Sequence, residues 1–213
     1  MERERNENRV LLRGVVEKAP CFSHESRGRR FESFPLSVKR LSGAVDCLPV
    51  LCETALAEQV KQGTHLEVRG ELRSFNNKSG QGRRLILSIF AKSLEETTEA
   101  CENELHLDGV LCKAPVFRRT PLGRDICDFI LAVNRRYGRA DYLPCIAWGR
   151  LAECIAARPV GSRLSLKGRM QSRAYRKMCG GVMEERTAFE VSVMRLEPEE
   201  AARTVPFYPA GLT

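Results

Sequence analysis

The feature that most limits the fold of this 213-residue chain is that most of it is written twice. Asn8–Pro20 reads NRVLLRGVVEKAP, and 95 residues on, Asn103–Pro115 reads NELHLDGVLCKAP. The same offset relates FPLSVKR from Phe34 to FILAVNR from Phe129, and DCLPVLCET from Asp46 to DYLPCIAWG from Asp141. Farther along the offset becomes 98, aligning GTHLEVRGELRSF from Gly63 with GSRLSLKGRMQSR from Gly161. A register kept from Asn8 to Cys52 and then shifted by three residues marks an internal repeat, so the fold must be one that can be built twice. The expected organisation is a unit over residues 1–100, a second over 101–197 and a flexible tail over 198–213, with an acidic junction around Glu95–Glu102.

Each unit reads mainly as strand. Val10, Leu12 and Val16 alternate with polar residues, as do Leu105, Leu107 and Leu111, which is the period of a half-buried strand. Phe34, Leu36 and Val38, matched by Phe129, Leu131 and Val133, predict a second strand, and the two Asp-x-Leu-Pro segments predict a third. A short helix follows, carried by Leu56, Ala57 and Val60 or by Leu151, Ala152 and Ile155, with Gly63 or Gly161 closing it. A fourth strand passes through Leu66 and Val68, or Leu164 and Leu166, and a fifth through Leu85–Ile89, or Phe189–Val193. Five strands with one helix between the third and fourth is the order of an OB-fold. The expected class is therefore all-β, two tandem five-stranded OB barrels. Glycines 14, 70, 109 and 168 fall inside strands, where a small barrel bends sharply.

Side chains alternate faces along a strand, so the two copies can be compared face by face. Leu143, Cys145 and Ala147 share one face of the third strand, and their counterparts Leu48, Val50 and Cys52 are apolar too. The opposite face carries Tyr142 and Trp148 in the second copy but Cys47 and Glu53 in the first. The fourth strand repeats the contrast. Lys167, Arg169, Arg173 and Tyr175 share its outer face in the second copy, whereas Glu67 and Glu71 interrupt Arg69 and Arg73 in the first. Arg176 and Lys177 extend the basic cluster. The net charge of +8 follows the same division: residues 103–195 hold 17 Lys and Arg against 9 Asp and Glu, and residues 1–102 hold 17 against 15. Aromatic faces among cations suit single-stranded nucleic acid, in which phosphates meet the cations and bases of any sequence stack on the rings. Taken singly, Tyr142 and Trp148 better fit covering the barrel's side or packing against the sister unit; the shared parity with the cations favours nucleic acid. The first unit is expected to be a scaffold, its cations Arg27, Arg29, Arg30, Arg83 and Arg84 confined to loops.

At these residues the second copy resembles the bacterial single-stranded DNA-binding protein family. The resemblance runs through LDGVLCKAPVFRRTPLGRDICDFILAVNR, DYLPCIAWGRLAE, VGSRLSLKGRMQSRAYRK and RTAFEVSVMRLE, nearly all of Asn103–Glu197. It implies sequence-independent binding of single-stranded DNA in replication, recombination or repair, on assemblies of four barrels. A homodimer of this chain would supply that number. It also implies stacking roles for Tyr142 and Trp148 on the third strand and for Tyr175 after the fourth. Arg118 and Arg119 fall in the first long loop, Arg119 at a site that is often aromatic. Arg135 ends the second strand, either as a phosphate contact or as an ion-pair partner of Asp141. The family commonly ends in an acidic tip that recruits replication and repair enzymes, and EPEEAARTVPFYPAGLT has neutral last residues, so recruitment by that route is not expected.

Other classes fit less well. His24, His65 and His106 lie far apart, with no triad, phosphate-loop or metal-ligand motif, so neither an enzyme nor a metal or other cofactor is expected. Nine cysteines without a CxxC pair read as reduced thiols of a cytoplasmic protein, and no apolar run is long enough to span a membrane. Two alternatives remain open: a primosome-type accessory protein that binds mainly protein, and a single-stranded RNA binder.

Overall fold

A computed structural model describes residues 7–77, 85–135, 138–179 and 182–198, of which Lys177, Cys179, Val182 and Glu184 are described in their backbone alone. Arg83, Arg84 and nearly all of the expected tail lie outside these residues. The protein is mostly β. The first half comprises β1 (Asn8–Val16), β2 (Cys21–Ser26), β3 (Arg29–Lys39), β4 (Val45–Glu53), helix α1 (Thr54–Ala57), β5 (His65–Asn76) and β6 (Leu85–Glu96). The second comprises β7 (Glu102–Leu111), β8 (Val116–Arg119), β9 (Asp125–Arg135), β10 (Arg139–Trp148), helix α2 (Arg150–Ala156), β11 (Arg163–Cys179) and β12 (Val182–Leu196).

Strand pairing returns on itself in each half. β1 pairs with β3 and β5, β3 with β4, β4 in parallel with β6, and β6 with β5. The second half repeats the cycle through β7, β9, β10, β12 and β11. Apolar side chains of one parity fill each ring: Leu12, Leu36, Leu48 and Ile89 in the first, Leu105, Leu131, Leu143 and Val191 in the second, all fully buried. Two glycines permit the tight closure. A Cβ on Gly70 would lie 2.1 Å from the Phe90 carbonyl oxygen, and one on Gly168 2.6 Å from that of Ser192. Both sit where the ladder register slips, and such slips bend a strand.

Two expectations are corrected. Among the described residues each half adds a sixth strand to its ring of five, because β2 and β8 pair with β3 and β9 outside the rings. β2 is exposed along its whole length, so no burial pattern marks it in the sequence. Gly63 and Gly161 do not cap the helices. They lie beyond the helix ends at φ 86° and 93°, in the turns entering β5 and β11, and their amides donate to Val16 and Leu111 carbonyls at 2.8 Å.

The halves meet in an antiparallel ladder of β1 on β7. Val10 pairs with Leu105, its own counterpart in the repeat, while Asn8 pairs with Leu107 and Leu12 with Asn103. The junction is thus two-fold in pattern, like the self-complementary contact of a symmetric dimer. Beside it, two fully buried carboxylates reach across. Asp46 accepts from Arg40 of its own half and from the Ser172 amide of the other at 2.8 Å. Asp141 accepts from Arg135 of its own half, and from the Ser74 amide at 2.5 Å and Arg73 at 3.2 Å in the other. Burial pushes the Asp46 carboxyl up, but hydrogen bonds from Arg40 and Ser172 outweigh it and hold it below the usual carboxylate range.

A lowered folded-state value means stability that is present above the ordinary Asp pKa of about 3.9 and is lost as pH falls through the folded value. Urea unfolding of the chain should therefore show a midpoint that drops below about pH 4. In Asp46→Asn, already destabilised at neutral pH, that drop should be smaller.

Candidate nucleic-acid interface

β10 has a core face and an outer face that is exposed at its two ends, with Ile146 buried between them. Leu143, Cys145 and Ala147 are buried, while Tyr142 and Trp148 on the other face remain 51% and 40% exposed. Six residues of strand place their backbones roughly 20 Å apart. Along this face the sheet order β8-β9-β10-β12-β11 is continuous, so the side chains of β8 and β11 flank the two rings. β11 is longer than expected. Its 17 residues carry Lys167, Arg169, Arg173, Tyr175, Arg176 and Lys177 within a single strand, so Tyr175 lies in the strand rather than after it. Arg173 and Arg176 are exposed and Tyr175 is half-buried. The Lys177 side chain lies outside the described residues.

The remaining cations divide by their partners. Arg118 and Arg119 stand on β8, not in a loop, and pair with Asp128 at 2.7 Å and Asp125 at 2.8 Å across the hairpin with β9. Both ion pairs are exposed at the surface, where such pairs are weak and exchange readily with an incoming phosphate. Lys167 lies 3.9 Å from Glu104 and 4.0 Å from Glu197. Arg169 faces the junction between halves. Burial, and then the Arg40 charge, push its guanidinium down, with Asp46 opposing. Arg135 is committed to Asp141 and to the Ser74 carbonyl at 2.8 Å, its guanidinium 5.5 Å from the centre of the Phe75 ring. Of the two roles open to Arg135 in the sequence, the structure displays the ion pair.

The first half differs in kind on the equivalent faces. On β5 the two carboxylates that interrupt the cations, Glu67 and Glu71, are each paired locally. Glu67 accepts from Arg13 at 2.6 Å and also from Arg69, and the Arg13 hydrogen bond leads in holding its carboxyl below the usual range. Glu71 pairs with Arg73 and Lys92. Glu53, standing where the second half has Trp148, pairs with Arg29 at 3.0 Å. This β5 face spends its cations internally, whereas Arg173 and Arg176 of β11 remain at the surface. Among the described residues no cluster of His, Cys, Asp and Glu is placed to hold a metal ion. Burial pushes the Cys52 thiol up to about 11.

Sequence reasoning offered the Arg135–Asp141 pair as one of two roles but missed its counterpart Arg40–Asp46 and the serines that complete both. For the aspartates a signal was available. Asp46 and Asp141 share the parity of the core residues that follow them, and a carboxylate at an inward position in both copies demands a buried partner.

Residues 102–198 match the single-strand binding protein family. The chain is 36% identical over 104 residues to single-stranded DNA-binding protein A of Bacillus subtilis, a match that takes in 46% of this chain and 60% of that protein. It is 35% identical over 107 residues to single-stranded DNA-binding protein 2 of Listeria innocua, covering 47% of this chain and 67% of that one. The chain thus spans about 60% of the length of the first of these relatives. The fold is similar over nearly the whole chain to the crystal structure of the single-stranded DNA-binding protein from Thermus aquaticus. There the TM-score is 0.74 with 22% identity, covering 96% of this chain and 97% of the other.

The contrast between Arg135 and Arg173 is measurable. Arg135→Ala leaves Asp141 buried without its principal cation and should cost about 3–5 kcal/mol of stability. Arg173→Ala, at the surface, should change stability by no more than about 0.5 kcal/mol. Urea midpoints of the two variants distinguish them.

Proposed function

Because the chain belongs to the single-strand binding protein family, we propose that it binds single-stranded DNA without sequence preference on the outer face of its second half. The observation that carries this reading is the exposure of Tyr142 and Trp148 on one face of β10 while the opposite face of the same strand is fully buried. A ring left in water beside cations is a platform on which a base can stack, and stacking discriminates little between bases. Phosphates would meet Arg173 and Arg176 on β11, joined by Lys177, and Arg118 and Arg119 on β8, with Tyr175 as a further platform. Lys167 would take part once freed from Glu104 and Glu197. Arg135 is read as a positioning residue that holds the halves together, and Arg169, beside the junction, would border the path of the strand.

The cyclic strand pairing supports reading each half as an OB barrel with its helix between the third and fourth barrel strands. On this reading residues 1–100 form a barrel without stacking rings on its β4 face, and residues 101–197 the barrel that binds. Two chains would bring four barrels together, so a homodimer is the proposed assembly. The role is protection of exposed strands during replication, recombination or repair, with no catalytic step. Among the described residues no helix is long and apolar enough to cross a membrane.

Trp148 is the only tryptophan, so intrinsic emission reports on this site alone. Oligo-dT should quench it, and Trp148→Ala should weaken binding by about 1–3 kcal/mol. The logarithm of affinity should fall with the logarithm of salt at a slope of roughly −2 to −3, as about three to four phosphate contacts on a single strand require. An unquenched spectrum at saturation, or a slope near zero, would contradict the reading.

A further inference from the structure

Most thiols of this cysteine-rich chain are held away from reaction. Cys52, Cys127 and Cys145 are buried. Cys112 donates to the Ile130 carbonyl at 3.4 Å and Cys21 to that of Ser33 at 3.5 Å, and burial pushes the Cys47 thiol up. Cys101 differs. It lies exposed in the segment that joins β6 to β7, with its sulfur 3.9 Å from Nε2 of His65 at the start of β5. The other two histidines are engaged elsewhere, His24 with Ser23 and His106 with Glu104.

The His65 ring is fixed in orientation and tautomer. Its Nδ1 lies 3.1 Å from the Thr97 carbonyl oxygen, and the Thr97 amide donates back to the His65 carbonyl at 3.0 Å. A carbonyl only accepts, so Nδ1 carries the hydrogen of the neutral ring and Nε2 turns its lone pair to the thiol. The ring also forms one wall of an open groove of about 510 Å³, lined besides by Thr64, Glu96, Thr97, Thr98 and Glu99. Its surroundings are acidic. Glu95, Glu67 and Glu102 stand on the adjoining strands, and the cation facing them is Arg13 of β1, which pairs with Glu67 at 2.6 Å and Glu99 at 2.7 Å. In the repeat His65 corresponds to Arg163, so the second half has no such pair.

We propose that Cys101 and His65 form a thiol-modification site that takes up small cationic disulfides by thiol–disulfide exchange. His65 Nε2 removes the thiol proton, and the Cys101 thiolate attacks one sulfur of the incoming disulfide. A new S–S bond to Cys101 forms as the S–S bond of the reagent breaks. The leaving sulfur carries off the electron pair and takes the proton from the His65 imidazolium. Cys101 is thereby oxidised to a mixed disulfide and half of the reagent is reduced to a thiol. The thiolate is the nucleophile, and an adjacent base raises its share. The carboxylates around the groove oppose the thiolate, which the imidazolium formed beside it offsets. They also select the reagent, attracting an amine-bearing disulfide and repelling an anionic one. The site shares no residue with the face of β8 to β12, and it stands whether or not single-stranded DNA binds there.

The test exposes the reduced full chain to cystamine at neutral pH, stops the reaction with acid at intervals, and maps the mixed disulfides by mass spectrometry without reduction. Cys154, exposed and on helix α2, is the internal reference. Cys101 should be modified about tenfold faster than Cys154, because an ordinary thiol is only a few per cent thiolate at neutral pH and the base raises that share. With oxidised glutathione, which is anionic, the lead of Cys101 over Cys154 should shrink. His65→Gln should bring Cys101 down to the rate of Cys154 at an unchanged urea midpoint. Glu96→Gln with Glu99→Gln should remove the preference for cystamine and leave Cys154 as it was. Cys101 modified no faster than Cys154 in the unaltered chain, or as fast in a folded His65→Gln variant as without the substitution, would overturn the site. Should His65→Gln lower the midpoint, the rate ranking and the charge preference of the unaltered chain decide the matter.

Discussion

The structure depends on a pair of buried carboxylates that cross between its halves. Asp46 and Asp141 each hold an arginine of their own half and a serine amide of the other, on either side of the β1–β7 ladder. A buried charge is tolerable only when paired and fully hydrogen-bonded, so each aspartate requires the other half to be in place. The two halves are thereby tied together by bonds on either side of the ladder. The same bonding commits the Arg135 guanidinium to Asp141 and to the Ser74 carbonyl.

The two-fold character of that junction explains why the repeat kept some residues and changed others. Asn8 and Asn103 each bridge the backbone of the neighbouring strand, to Leu72 and Met170, with bonds of 2.7–3.0 Å. Asp46 and Asp141, Arg40 and Arg135, Ser74 and Ser172 follow the same rule. These pairs are held by geometry that both halves share. The outer faces are under no such constraint. There the second half exposes Tyr142, Trp148, Arg173 and Arg176, while the first pairs its carboxylates on β5.

Period-two alternation made the rings and their cores legible in the sequence, because burial of one face is what that alternation encodes. The parity of Tyr142 and Trp148 was readable for the same reason. Partners that come from the other half were not readable, since nothing in the chain near Arg135 announces Ser74. Nor was the β2 strand, whose six residues are all exposed and are held by cross-strand pairing and a two-residue turn instead of by burial. The length of β11 was missed because, beyond the ring, both of its faces meet solvent and the alternation that marks a strand disappears.

Photochemical cross-linking of oligo-dT to the full chain, with the adducts mapped by mass spectrometry, tests the central claim most directly, because it asks which rings lie against bases. The account predicts adducts on peptides carrying Tyr142, Trp148 and Tyr175. Adducts confined to peptides outside β8 to β12, obtained from a chain that binds the oligonucleotide, would contradict it.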